Sequence, residues 1–234
     1  MANSIDVYNL RRGNVRAWNN TARANGKMAD LSNAELQGCN LSGFKLSGAL
    51  LNGACLCNAK LFGCHLNGAD LTEADLRDAD LRESVAMNAK FDRANLSGAK
   101  LQGAHMSEST FVEAVIVRAN LERFGIHGRQ TILEMADFTG ANLSFVCAAE
   151  VIMNMSIFTE AELRYADLQF AELTDADFWG ADLFGADMRN AELSSADLSR
   201  AKVYGLKVSN AILYGAWLPS GWRYEPVWPS ALGS

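Results

Sequence analysis

The chain has 234 residues, 49% of them hydrophobic and 21% charged, with a formal net charge of −6. That leaves room for a long core, while the acidic balance disfavours direct binding to nucleic acid. No apolar run approaches the 18 or more residues needed to cross a membrane, and the start MANSIDVYNLRRG has no hydrophobic signal region, so a cytoplasmic location without a membrane partner is expected.

The first predicted element is a helix. From about Ser4 to Asn25, Val7, Leu10, Val15, Trp18 and Ala22 recur near helical spacing, with Ser4 as N-cap and Gly26 as stop. Residues 1–28 carry Arg11, Arg12, Arg16, Arg23 and Lys27 against Asp6, a charge of +4. A soluble cap with a charged outer face explains this better than a site for an acidic partner.

Beyond it the period becomes five. In ADLTEADLRDADL, residues 69–81, a leucine stands at every fifth position with alanine two places before it. Five steps advance a helical side chain by about 140° and reverse the face of a strand, so neither gives a stable stripe. The pattern requires a chain that turns a corner every five residues and points each leucine inward, which is a solenoid. The register holds from Leu31 to Ile126 and from Leu133 to Leu218, 38 repeats in all. Leu or Phe fills 29 central positions, and Ala, Ser, Cys or Thr fills 33 of the positions two earlier. A large residue beside a small one, repeated, packs a narrow column without voids.

The motif of a small residue, Asp or Asn, Leu or Phe, then two variable residues resembles that of the pentapeptide-repeat proteins. The resemblance implies an all-β fold, a right-handed quadrilateral parallel β-helix with four pentapeptides per coil, preceded by an α-helical cap. The segment around Val15 and Trp18-Asn19 is similar to the Val-x-x-Trp-Asn region preceding such repeats in bacterial members. The repeats then make about nine and a half coils, a column about 45 Å long at roughly 4.8 Å per coil. Residues 1–28 are the expected cap, 29–220 the β-helix and 221–234 a terminal tail.

Between Ile126 and Leu133 the period lengthens to seven, which predicts a small corner loop near 127–132 that exposes His127 and Arg129. The family's gyrase inhibitors also carry projecting loops, usually longer ones. Of five cysteines, Cys39 and Cys64 take the small inward slot, while Cys55, Cys57 and Cys147 fall at outward positions. The odd count without paired spacing argues against a disulfide framework. Cys55-Leu-Cys57 with His65 suggests a metal site, but His65 lies two faces away, so neither metal nor cofactor is expected.

The residue before each central position is acidic without exception from Glu162 to Asp197: Glu162, Asp167, Glu172, Asp177, Asp182, Asp187, Glu192 and Asp197. Four repeats per coil would stack these as two rings, inside a segment, residues 160–201, of charge −7. Tyr165, Phe170, Trp179, Phe184, Tyr204 and Tyr214 point outward in the same region, with Phe184 and Tyr204 one coil apart. The acids, with Trp179, Phe184 and Tyr204, form the candidate surface for a protein partner. Corner-turning and solubility are the competing explanation for the acids.

After Leu218, three prolines stop the ladder, and Trp222, Tyr224 and Trp228 are placed either as a cap or as a homodimer interface. In gyrase-protecting members of the family the C-terminal end forms the dimer interface. His65, His105 and His127 have no matching nucleophile, and a convex wall offers no pocket, so an enzyme is not expected. The reading is a non-enzymatic interaction scaffold. Its alternative, implied by the resemblance to quinolone-resistance pentapeptide proteins, is a DNA mimic that binds gyrase or a related topoisomerase.

Overall fold

A computed structural model describes residues 4–20, 29–122, 124–126 and 131–222. From Asp30 to Trp217 the chain forms a ladder of parallel bridges between residues twenty apart, such as Asp30 with Leu50, Glu35 with Cys55 and Glu162 with Asp182. One turn of the coil therefore takes four pentapeptides. Each side is so short that it contributes one bridge residue before the next corner.

Backbone accounting explains the repeat. In the first one, Leu31 N–H donates to Leu50 C=O (2.7 Å), Asn33 N–H to Asn52 C=O (2.9 Å) and Leu50 N–H to Ala29 C=O (2.9 Å). Ala34 N–H closes the corner on Leu31 C=O at 3.0 Å, with Asn33 left-handed at φ 56°. The remaining amide, Ser32 N–H, donates to the Asp30 carboxylate at 3.1 Å. With Leu50 standing for the bridge position one coil on, each of the five amide positions of the repeat has an acceptor, as a buried backbone requires. Asp or Asn before the central residue serves the backbone directly.

The core is a stack of central residues and their small neighbours, almost all inaccessible from Leu31 to Leu198. Phe138, Phe158 and Phe178 stack at 5.0 and 4.8 Å between centroids, and Phe91 stacks on Phe111 at 4.7 Å. Each buried leucine contributes about 2 kcal/mol of apolar burial.

The first segment differs from the single helix expected. Helix α1, Ser4–Arg11, and helix α2, Val15–Asn19, are separated by Gly13, whose φ of 66° suits a glycine break. Both lie against the first coil. Trp18 Nε1–H donates to Lys45 C=O (2.8 Å), Asn19 Nδ2–H to Gly43 C=O (3.0 Å) and Arg11 Nε–H to Glu35 C=O (2.9 Å). Lys45 N–H in turn donates to Asn19 Oδ1 at 2.8 Å. Leu10 and Trp18 are buried beside the first leucines. Arg23 and Lys27 lie outside the described residues.

At the interruption the bridge separation grows to twenty-two for Thr110–Ile132, Val115–Asp137, Asn120–Asn142 and Gly125–Cys147, then returns to twenty. The two extra residues are absorbed between Ile126 and Thr131, where Thr131 refills the small slot. His127 and Arg129 lie outside the described residues.

Candidate interaction surface

The bridge residues define four faces. In the acidic coils the first face carries Ile152, Glu172, Glu192 and Ile212, and the second Ile157, Asp177, Asp197 and Trp217. The third carries Asn142, Glu162, Asp182 and Lys202, and the fourth Cys147, Asp167, Asp187 and Lys207. The eight acids therefore stack in pairs twenty apart around all four faces, so one flat partner cannot meet them together.

Six of the eight serve the corners. The carboxylates of Asp167, Asp177, Asp182, Asp187, Glu192 and Asp197 each accept the N–H two residues on, at 2.8 to 3.3 Å. Glu162 and Glu172 make no such bond and are exposed; the amide beyond Glu172, on Thr174, donates to Asn154 instead.

Charge compensation divides the faces. On the fourth, Arg189 grips Asp187 with Nε–H at 2.8 Å and Nη2–H at 2.7 Å, and Lys207 approaches to 3.6 Å. Asp187 is largely buried, and the Arg189 guanidinium holds its carboxyl below the usual carboxylate range. On the third, Asp182 pairs with Arg164 at 3.2 Å and Lys202 at 4.0 Å. Among the described residues, Glu172, Glu192, Asp177 and Asp197 on the first two faces have no ion pair, and on the other two faces Glu162 and Asp167 have none either, so only the latter faces carry a compensated acid. Those two ladders end in the exposed Ile212 and Trp217, with exposed Tyr214 on the corner between them.

The aromatics separate likewise. Phe145, Tyr165, Phe184 and Tyr204 follow one another along the corner between the third and fourth faces, with centroid distances of 5.3, 5.4 and 5.6 Å. Phe184 and Tyr204 are stacked, and Arg164 lies over Phe184 at 5.3 Å. The Tyr165 ring covers Gly185, where an added Cβ would lie 2.7 Å from the ring and would push it aside. Trp179 stands on the corner between the second and third faces. Trp222 is half-buried on the last coil, whereas Tyr224 and Trp228 lie outside the described residues.

The cysteines require a correction. Cys57 sits at an outward position of the repeat yet is buried, and its sulfur lies 3.5 Å from that of Cys55. His65 does stand two faces away, in the ladder of Lys45 and Val85, but Asp75 is the bridge partner of Cys55. The two sulfurs and an Asp75 oxygen lie within 4.8 Å of one another. The coil period of twenty would have revealed Asp75. The spacing Asp-x-Arg at 75/77, 80/82 and 187/189 was an equally legible sign of the carboxylate–guanidinium pairs.

Comparison with known proteins agrees with this geometry. The family model described as pentapeptide repeats matches residues 29–62, 50–85, 89–124, 136–180 and 180–215. The chain belongs to the pentapeptide-repeat family. Among solved pentapeptide-repeat structures, it is similar to HetL, involved in heterocyst differentiation regulation in the cyanobacterium Nostoc sp. strain PCC 7120. The identity is 31%, over 84% of this chain and 85% of that one, with a TM-score of 0.45. A trypsin-treated form of QnrB1, a plasmid-mediated fluoroquinolone resistance protein, is 18% identical over 68% of this chain and 89% of its own, with a TM-score of 0.52. Rfr23 from the cyanobacterium Cyanothece 51142 is 23% identical over 44% and 63%, with a TM-score of 0.36. No curated protein sequence matches the chain. QnrB1 shares the pentapeptide-repeat fold, a repeat solenoid of β structure.

Proposed function

We propose that this pentapeptide-repeat protein is a non-enzymatic interaction scaffold. Its contact surface is the first and second faces of the last coils, and its partner is a protein surface that combines basic and apolar side chains. The observation that carries the reading is the unpaired carboxylate set of Glu172, Asp177, Glu192 and Asp197 among the described residues, leading into exposed Ile212, Tyr214 and Trp217. Like charges about 4.8 Å apart repel by roughly 1 kcal/mol even at the dielectric of water. A basic partner removes that cost, and the apolar end adds the desolvated contact typical of interface cores. The column this requires is right-handed, with about nine and a half coils, closed at its start by α1 and α2.

Charge can be removed here without disturbing the corners, because asparagine keeps the oxygen that accepts the corner amide. The variant Glu172→Gln, Asp177→Asn, Glu192→Gln, Asp197→Asn should fold like the parent and lose salt-sensitive partners in a comparative pull-down. A control with Asp70→Asn and Asp75→Asn should keep them. Partners retained equally by all three proteins would sink the assignment of this surface.

A DNA mimic toward a topoisomerase such as gyrase is the second reading, favoured by one observation. Carboxylates stacked at about 4.8 Å along a ladder approach the roughly 3.4 Å phosphate repeat of a DNA strand. A supercoiling titration decides it: inhibition by the parent that the four-residue variant loses supports mimicry. No effect of the parent at about tens of micromolar removes gyrase and leaves the scaffold.

A further inference from the structure

We propose that Cys55, Cys57 and Asp75 form a binding site for a thiophilic divalent cation, of which Zn2+ is the natural probe. The fold builds this site across two coils. Cys55 occupies a bridge position on the second face, Cys57 follows it at the corner with little of its side chain accessible, and the ladder sets Asp75 on the next coil against Cys55.

The geometry suits a small soft ion. The two sulfurs are 3.5 Å apart, and each lies within 4.8 Å of an Asp75 oxygen. Tetrahedral zinc with Zn–S bonds of about 2.3 Å separates two sulfurs by roughly 3.8 Å, so the thiols need open by only a few tenths of an ångström. Asp75 is already oriented: Arg77 donates Nε–H and Nη2–H to its two oxygens at 2.8 and 2.7 Å. Such outer contacts hold carboxylate ligands in known metal sites. Oδ1 also accepts the Arg77 backbone N–H at 3.2 Å, so Oδ2, which takes a single hydrogen bond, is the oxygen with a lone pair left for a cation.

Charge balances as well. Two thiolates, one carboxylate and the Arg77 guanidinium sum to −2, which a divalent ion neutralises, with the two thiol protons released to solvent. A fourth position is open to water on the half-exposed side of Cys55. Glu35, the bridge partner of Cys55 on the preceding coil, presents an exposed carboxylate on that same face. Cys39, Cys64 and Cys147 join no comparable group among the described residues. Cys64 instead donates its S–H to Phe44 C=O.

The test uses the full chain, reduced and freed of metal, titrated with Zn2+ against a chromophoric chelator. Co2+ serves as a second probe, because its thiolate charge-transfer absorption counts sulfur ligands. One equivalent should bind with two-sulfur character. Cys55→Ser and Cys57→Ser should each weaken it by about tenfold or more, since even outer-layer contacts cost about that much. Asp75→Asn should weaken binding less, and Cys147→Ser should leave it unchanged. Zn2+ should also raise the melting temperature of the parent but not of Cys55→Ser, which guards against a folding artefact in Cys57→Ser. Binding that survives both cysteine substitutions, or that is lost in Cys147→Ser, overturns the proposal. So does a reduced parent that takes up no Zn2+.

Discussion

An aspartate before the central residue does two things at once in this chain. One carboxylate oxygen closes the corner by accepting the amide two residues on, while the other meets solvent or a cation. Asp75, Asp80 and Asp187 take the second option furthest, each gripped by the arginine two residues later. Each guanidinium draws its partner's carboxyl below the ordinary aspartate range. The folded state therefore ionises these groups more readily than the unfolded chain, and their stabilisation is present above the unfolded value of about 3.9. It is lost as pH falls through the lower folded value. We expect Arg189→Met to be slightly destabilising at neutral pH, since solvent screens a half-exposed guanidinium. In urea titrations across pH, the parent and variant curves should converge at acid pH; a gap that persists there would mean the arginine acts through packing.

At the scale of the element, the coil side is defined by alternation between an inward centre and outward flanks. Leu173 is fully buried between the coils, whereas Thr174, the next residue, is half-exposed at the corner with its N–H held by Asn154. Leu173→Asp places a charge with no partner in an apolar column and should cost about 4 kcal/mol or more, abolishing a cooperative melt. Thr174→Asp should stay within about 0.5 kcal/mol of the parent. Equal damage at the two sites, read by thermal unfolding, would contradict the register. The phenylalanine stack beside Leu173 shows why that register is strict, since rings twenty residues apart meet face to face only if no coil slips.

In the whole molecule, coils touch chiefly their neighbours, so disturbance at one end should stay there. The contacts of α2 on the first coil make this testable. Trp18→Ala removes a buried ring and the donor to Lys45 C=O, and hydrogen exchange should then quicken over residues 29–50 while residues 140–200 keep their protection. Uniform loss of protection would show that the column unfolds as one unit. Exposure of that edge should also bring concentration-dependent association in sedimentation, because unpaired ladder groups recruit other strands.

The period of five, read from residues 69–81 alone, already dictated a coil with leucine and alanine inside, because no helix or strand places every fifth residue on one face. It also located the interruption after Ile126 and the run of acids from Glu162 to Asp197. The break at Gly13 escaped it, since apolar spacing in residues 4–25 suits one helix as well as two. Which acids are compensated from another coil was decided only by tertiary structure. Arg164 reaches Asp182 and Lys207 reaches Asp187 across coils, and long flexible cations choose partners by distance in space. The meeting of Asp75 with Cys55 was within reach of four repeats per coil, which bring residues twenty apart together, but the approach of the Cys57 sulfur to both was decided by side-chain placement in space.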